Sequence, residues 1–353
     1  MKMSTDKILD KKLINYGEAI YQATNQEMKR DENVFVYGLG VDDPKGHYGT
    51  CKDLHLDYGS HRSFDVPLSE DSLTGIGIGA ALAGLRPIYV HQRMDFLLLC
   101  MNQLVNMAAK MRYISAGEHT VPIVVRAAIG RSWGQGAQHS QSLLSYFMHI
   151  PGIKVIAPTT PHDAKGALIS SIRDNNPVIF VEHRMLYKNA GYVPSKTYEI
   201  PFGKGRILKE GSDVTIIGVS HTVEDSLRAA DLLKQVGVSA EVIDPISLSP
   251  LDYVLLRESA KKTGKLLVVD NGWLTCGFSS EIISDIAINC NNIKSKRVGF
   301  AETPCPTTPS LEKDFYPNPQ IIAKEANILC GGDKNWNPPE VDQQEILSFK
   351  GPF

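Results

Sequence analysis

Two side chains stand out as placed for proton chemistry. Glu70 closes the run Asp65-Val66-Pro67-Leu68-Ser69-Glu70, a Pro/Ser break before a Gly-studded apolar helix expected over Leu73 to Leu85. A carboxyl there can be buried against a helix end and apolar surface, and burial raises a carboxyl pKa. A neutral or shared-proton carboxyl can hold a hydrogen bond on a heteroaromatic nitrogen. The plainer alternative is an acid stabilised by the helix dipole or a capping-box glutamate, and this stretch alone favours it. His139 lies in Gly134-Gln135-Gly136-Ala137-Gln138-His139-Ser140-Gln141, after the apolar run Val121 to Ala127. In an open parallel sheet, ligands sit beyond the carboxyl ends of strands. A histidine there can act as acid, base or donor near neutral pH; its ordinary alternative is a helix-start histidine bonded to backbone.

Other patterns read more plainly. Ser171-Ile172-Arg173-Asp174-Asn175-Asn176-Pro177 is a good Asp/Asn/Pro turn, with a monovalent-cation loop as its functional reading. Gly75-Ile76-Gly77-Ile78-Gly79 looks like a dinucleotide fingerprint, but it falls inside a helix pattern and no acid ends the strand Ile88 to Val90. Close helix packing explains these glycines better, and such packing also suits a subunit interface. His91, His149, His183 and His221 each sit near an element edge, where a hydrogen-bonded structural histidine is the simpler reading.

The elements that must position these groups alternate. Tyr16 to Lys29 reads as an amphipathic helix and Val34 to Tyr37 as a buried strand. Residues 41–63 look irregular. One long helix is expected over Phe96 to Tyr113, a Gly-rich loop over Ile129 to Ala137, and a helix over Gln141 to Met148. A strand over Lys154 to Ile156, a helix over Pro161 to Arg173 and a strand over Val178 to Glu182 follow. Continuous apolar strands alternating with helices imply an α/β fold, a parallel sheet covered on both faces. Tyr187 to Gly211, with Pro194 and Pro201, reads as a linker plus an entry hairpin. A second α/β unit follows, with strands at Val214 to Ile217, Ala240 to Ile243 and Leu266 to Asp270. Its helices are expected over Val223 to Val236, Leu251 to Lys262 and Ser279 to Ile288. The division expected is 1–15 arm, 16–186 first domain, 187–211 linker, 212–329 smaller second domain and 330–353 extended tail.

Bulk composition narrows the class. The chain has 353 residues, 42% hydrophobic and 22% charged, enough for two globular domains. A formal net charge of −2 gives no reason to expect nucleic acid. Six scattered cysteines without a C-x-x-C pair argue against zinc or a disulfide framework and suit a reducing compartment. Met1 to Lys12 has mixed charges and no apolar core, so no secretory signal is expected. No apolar run is long enough to span a membrane. The expectation is a soluble, cytoplasmic protein.

Taken in order, several segments resemble one family, the β subunit of the two-subunit E1 component of 2-oxo acid dehydrogenases (pyruvate, branched-chain and acetoin types). The segments are 65–70, 75–87 (GIGIGAALAGLRP), Asp95-Phe96 with Asn106 to Lys110, Val121 to Arg126, Gln138 to Gln141, Pro151 to Val155 and Arg173 to Pro177. In the second unit they are Gly211 to Ile216, Leu248 to Asp252, and Asn271-Gly272-Trp273 with Gly277 and Glu281. The resemblance runs from about Tyr16 to Ile328. It implies a thiamine diphosphate enzyme, with a pyrimidine-binding domain followed by a transketolase C-terminal-like domain. Glu70 matches the glutamate that hydrogen-bonds the aminopyrimidine N1′, which promotes loss of the thiazolium C2 proton and attack on the 2-oxo carbon. His139 matches the histidine that steers proton or acyl transfer. Ile123, Ser171, Ile172, Asp174 and Asn176 match a potassium site. The chain has no Gly-Asp-Gly segment, so Mg²⁺ and the diphosphate are expected on an α subunit, in an α₂β₂ heterotetramer inactive without it.

Two departures bear on specificity. Where the family has an acidic-aromatic stretch, this chain has Tyr89-Val90-His91-Gln92-Arg93-Met94-Asp95, so His91 and Met94 are expected against the pyrimidine. Arg131 and Trp133, with Gln138, are expected to line the mouth of the substrate site, where the arginine suits an anionic or sugar-like partner; packing is the alternative for both. The acyl acceptor is expected to be a lipoyl domain of an acyltransferase (E2). A split transketolase or carboligase using an aldehyde or sugar is the alternative enzyme, and a non-catalytic scaffold subunit the alternative of another class.

Overall fold

The computed structural model describes residues 11–131 and 134–341. Strand β1 (Lys11–Asn15) leads into α1 (Tyr16–Arg30), where the Asn15 side chain accepts the Glu18 N–H as a cap. Next come β2 (Val34–Gly38), α2 (Leu54–Tyr58), β3 (Ser63–Asp65), α3 (Glu70–Leu82) and β4 (Arg86–His91). A helical stretch from Met94 ends in α4 (Ala109–Ile114). It is followed by β5 (Val124–Ile129), α5 (Leu144–Met148), β6 (Lys154–Ile156), α6 (Pro161–Arg173) and β7 (Val178–His183).

The second part opens with β8 (Ala190–Pro194), β9 (Arg206–Lys209), β10 (Val214–Ile217), α7 (His221–Lys234), β11 (Ala240–Asp244) and β12 (Ser247–Ser249). It closes with α8 (Tyr253–Thr263), β13 (Lys265–Trp273), α9 (Phe278–Asn289), β14 (Lys294–Phe300), α10 (Pro309–Phe315) and α11 (Pro319–Leu329).

Seven strands form the first sheet in the order β12-β6-β7-β5-β4-β2-β3, all parallel except β12. Its strands read as unbroken apolar runs because both faces are covered. Val125 and Val181 belong to one core with Leu144 and Phe147, while Val124 and Phe180 belong to the other with Ile20 and Leu168. A second sheet of five strands, β14-β13-β10-β11-β9, is parallel except for β9. No helix among the described residues is long and apolar enough to cross a membrane.

Several expectations change. The Gly-rich helix begins at Glu70 and ends at Leu82, so Glu70 occupies its first turn. Gly77 explains that helix's composition: a Cβ there would lie 2.1 Å from the Tyr37 hydroxyl, whereas one at Gly79 would meet nothing. The single long helix over 96–113 is instead a 3₁₀ stretch (Met94–Cys100), a π stretch (Asn102–Ala108) and α4. Residues 187–211, expected as a linker plus an entry hairpin, carry two strands that pair elsewhere: β8 with β1, and β9 with the second sheet. Strand β12 returns from the second part to edge the first sheet. The described part of the tail is not an extended arm, since Trp336 and Val341 pack on the second unit's core. Residues 342–353 lie outside the described residues.

Candidate active site

Because the six strands from β3 to β6 are parallel, their carboxyl ends share one edge, where an open sheet binds ligands. That edge collects Glu70 after β3, His91 to Asp95 at and after β4, the 130–143 loop after β5 and Arg184 after β7.

Glu70 is half-buried. Its main-chain carbonyl accepts from Thr74 Oγ1 at 2.7 Å and from Cys100 Sγ at 3.3 Å. Its carboxylate accepts no hydrogen bond and forms no ion pair among the described residues. The charge reaches Tyr89 and Cys100: burial first, then Cys100, Glu70 and Asp71, push the Tyr89 phenol well above its usual value. Burial is also the main cause lifting the Cys100 thiol to about 11, with Glu70 and Asp71 adding to it.

His91 and Met94 lie beneath this edge, both buried. His91 Nδ1 is 2.8 Å from the Arg93 carbonyl, so it carries the ring proton and leaves Nε2 bare, 4.0 Å from Cys100 Sγ. Burial drives its pKa down to about 4, partly offset by that carbonyl contact, so the ring is neutral. Met94 Sδ accepts the Leu143 N–H at 3.2 Å. Both side chains have partners within the chain, His91 in the Arg93 carbonyl and Met94 in the Leu143 N–H.

His139 is half-buried and held by its surroundings. Arg93 Nη1 donates to the His139 carbonyl at 2.6 Å, and the imidazole stands edge-on to Phe96 with centroids 5.4 Å apart. Asp95 Oδ1 accepts the Gln141 N–H at 2.9 Å. The 3₁₀ stretch thus clasps the 139–143 segment through Arg93, Met94, Asp95 and Phe96 together. Gln138 is exposed beside His139.

Arg131 points elsewhere than expected. It is buried, donates to the Pro317 carbonyl at 3.1 Å, stands 3.7 Å from Asp225 and lies over the Tyr316 ring. It joins the two units instead of lining an open mouth. Trp133 lies outside the described residues. His183 and His221 stack across the same junction, 4.8 Å apart, and burial, with His221 next, holds His183 far below its usual pKa.

The five residues matched to potassium gather at the opposite, amino edge. The Ile172 and Asp174 carbonyls accept from Arg86 Nη1 at 3.0 and 3.1 Å, and the Ile123 carbonyl accepts the Val178 N–H. The Asp174 carboxylate pairs with Lys154 and accepts from Asn176, while Ser171 Oγ donates to Ala167. The Ile123, Ile172 and Asp174 oxygens already serve nitrogen donors. No group of three or more His, Cys, Asp or Glu among the described residues could hold a metal ion.

The reading of the amino acids alone missed Arg184 and Cys100, and saw Arg93 and Asp95 only as parts of quoted stretches. The rule that nominated His139, to look just past the carboxyl end of a strand, would have nominated Arg93 after β4 and Arg184 after β7.

Residues 12–189 match the family model described as transketolase, pyrimidine binding domain, and residues 203–322 match transketolase, C-terminal domain. The chain is 40% identical to the acetoin:2,6-dichlorophenolindophenol oxidoreductase subunit beta of Cupriavidus necator, over 90% of this chain and 97% of the relative. It is 42% identical to the pyruvate dehydrogenase E1 component subunit beta of Gracilaria tenuistipitata var. liui, over 88% and 98%. It is 38% identical to the 2-oxoisovalerate dehydrogenase subunit beta of Bacillus subtilis, over 88% and 96%. Among solved structures it resembles a split gene transketolase, inactive beta4 tetramer, with a TM-score of 0.75 and 20% identity over 90% of this chain and 98% of that one, a likeness of fold.

Proposed function

The chain belongs to the E1 β subunits of 2-oxo acid dehydrogenases, built from transketolase-type domains, and on that premise we propose that Glu70 and His139 form its catalytic pair, facing thiamine diphosphate held between this chain and an α subunit. E1 enzymes of this family depend on thiamine diphosphate. Bound there, it supplies the electron sink that lets a 2-oxo acid lose CO₂.

The observation that carries the reading is the Glu70 carboxylate, half-buried in the first turn of α3 without a protein partner. Its oxygens are left free to bond a ligand, and an aminopyrimidine N1′ is a suitable partner. Glu70 holds the proton on that nitrogen. The His139 ring, fixed by Phe96 and the Arg93 clasp, moves a proton at the substrate's 2-oxo oxygen. His91 and Met94 keep Cys100 and the 139–143 segment in place beneath it.

The chain lacks a Gly-Asp-Gly segment, which supports assigning Mg²⁺ and the diphosphate to the α subunit of an α₂β₂ assembly. Exposed Ile76 (63%), Leu99 (57%), Met107 (43%) and Leu98 (42%) beside Glu70 support α3 and the 94–108 stretch as the α-facing surface. No step is assigned to potassium, because Arg86 and Lys154 supply positive charge at the Asp174 turn. The acyl group passes to a lipoyl domain of an acyltransferase. The test is coexpression with an α subunit carrying Gly-Asp-Gly: decarboxylation should need both chains, and lipoyl-domain acylation should exceed transfer to an aldehyde or sugar. Equal activity of the α subunit alone would leave this chain a scaffold.

A further inference from the structure

The loop that bears His139 is held from the second unit. Gly134 and Gly136 both take the left-handed backbone, with φ of 66° and 67°, and both lie against Thr307 of that unit. A Cβ at Gly134 would come 2.6 Å from the Thr307 carbonyl oxygen, and one at Gly136 would come 2.6 Å from Thr307 Cγ2. Only glycine meets both demands, the backbone angle and the close approach. The Gly136 carbonyl accepts the His139 N–H at 3.4 Å, so the glycine that touches Thr307 also closes the turn into the histidine. The stretch around Thr307 is itself anchored. Trp273 Nε1 donates to the Thr303 carbonyl at 3.1 Å, and buried Cys305 has its Sγ 3.3 Å from the Tyr316 hydroxyl. The Thr308 carbonyl accepts the Leu311 and Glu312 N–H groups at the start of α10. At the near end of the same loop, Arg131 donates to the Pro317 carbonyl and lies over the Tyr316 ring.

We infer that Thr307 is a positioning residue for His139: it seats on Gly134 and Gly136 and sets where the turn into the histidine lies. This rests on the reading above, in which His139 moves a proton at the substrate. The second unit thereby contributes to a site whose catalytic pair lies wholly in the first. Glu70, in the first turn of α3, stands outside the contact. The contact therefore bears on the step that His139 serves and leaves loss of the cofactor's C2 proton alone.

The test is a double-mutant cycle in the reconstituted αβ enzyme. Turnover of pyruvate and 2-oxoisovalerate is read by 2,6-dichlorophenolindophenol reduction, and C2 deuterium exchange of bound thiamine diphosphate by NMR. Gly136→Ala should lower kcat by about tenfold or more, since misplacing a reacting group by about 1 Å costs on that scale. The left-handed backbone strains alanine equally in Gly136→Ala and in Gly136→Ala/Thr307→Ser, but serine lacks the methyl that the new Cβ meets. The double variant should therefore recover about threefold or more in kcat. Thr307→Ser alone should cost no more than about threefold, because the Thr307 carbonyl still closes on Gly134. C2 exchange should stay within about twofold of the native rate in all three. Gly136→Ala at the native kcat, a double variant as slow as Gly136→Ala, or C2 exchange that falls in step with kcat overturns the inference while leaving the decarboxylase reading intact. Should Gly136→Ala fail to assemble, assembly regained with Thr307→Ser supports the contact, and failure of both variants overturns it. No turnover of either acid by a native assembly that binds thiamine diphosphate sinks the decarboxylase reading, and the inference with it.

Discussion

Asp95 Oδ1 accepts the Gln141 main-chain N–H at 2.9 Å, which ties the turn after β4 to the chain two residues beyond His139. Asp95 is buried, and burial raises its pKa against the hydrogen bonds that lower it. The clasp therefore orients His139 through main-chain contacts that no pattern of side chains announces.

Asp95→Ala removes the acceptor and leaves the Gln141 N–H unsatisfied. It should cost about 1–3 kcal/mol of stability in urea unfolding, and kcat should fall as the His139 segment loosens. Asp95→Asn keeps an acceptor oxygen and should lose less on both measures. Equal losses for the two variants would mean that the hydrogen bond is not what holds the segment.

His91 sets a pH dependence whose sign is fixed. Its folded pKa of about 4 lies below the ordinary 6.5 because of burial, so between those values the unfolded chain binds a proton that the folded chain does not. Its contribution is level above pH 6.5 and is lost as pH falls toward 4, by at most about 3 kcal/mol. His47 and His183 act in the same direction, while Asp244 and Asp270, raised to about 7 and about 6, act in the opposite one. The informative quantity is the difference between native protein and His91→Gln. The variant should show a shallower loss of stability between pH 6.5 and 4, and identical slopes would contradict a neutral buried ring.

The α-facing surface is tested by charge. Ile76→Asp and Leu99→Asp alter exposed positions and should leave the fold's melting temperature within a few degrees. Each should weaken association with the α subunit by about tenfold or more in analytical ultracentrifugation, because a carboxylate would have to be desolvated at the contact. Unaltered association would move the interface elsewhere.

Much of the fold was legible in the amino acids. Thr160 followed by Pro161 marks the start of α6, whose cap accepts the Asp163 N–H as N-cap chemistry requires. The apolar runs at β5 and β7 gave the buried parallel sheet. Less visible was the break in the 94–114 helix: its residues suit a helix locally, and only tertiary bonds to Gln141, Leu143 and Glu70 account for the 3₁₀ segment. The pairing of β12 with β6 was hidden for the same reason, since three residues carry no periodicity. Glu70 and His139 could be picked out individually, but the arginines that converge on the His139 loop come from distant strands and meet it only once the strand order is known.

The central claim is that Glu70 activates thiamine diphosphate, and deuterium exchange at the cofactor's C2 position, followed by NMR in the αβ complex, tests it most directly. Glu70→Gln keeps the shape of the side chain but cannot exchange a proton with N1′. The exchange rate should fall by about a hundredfold or more, while cofactor affinity changes far less. Exchange in Glu70→Gln within about threefold of the native rate would contradict the account.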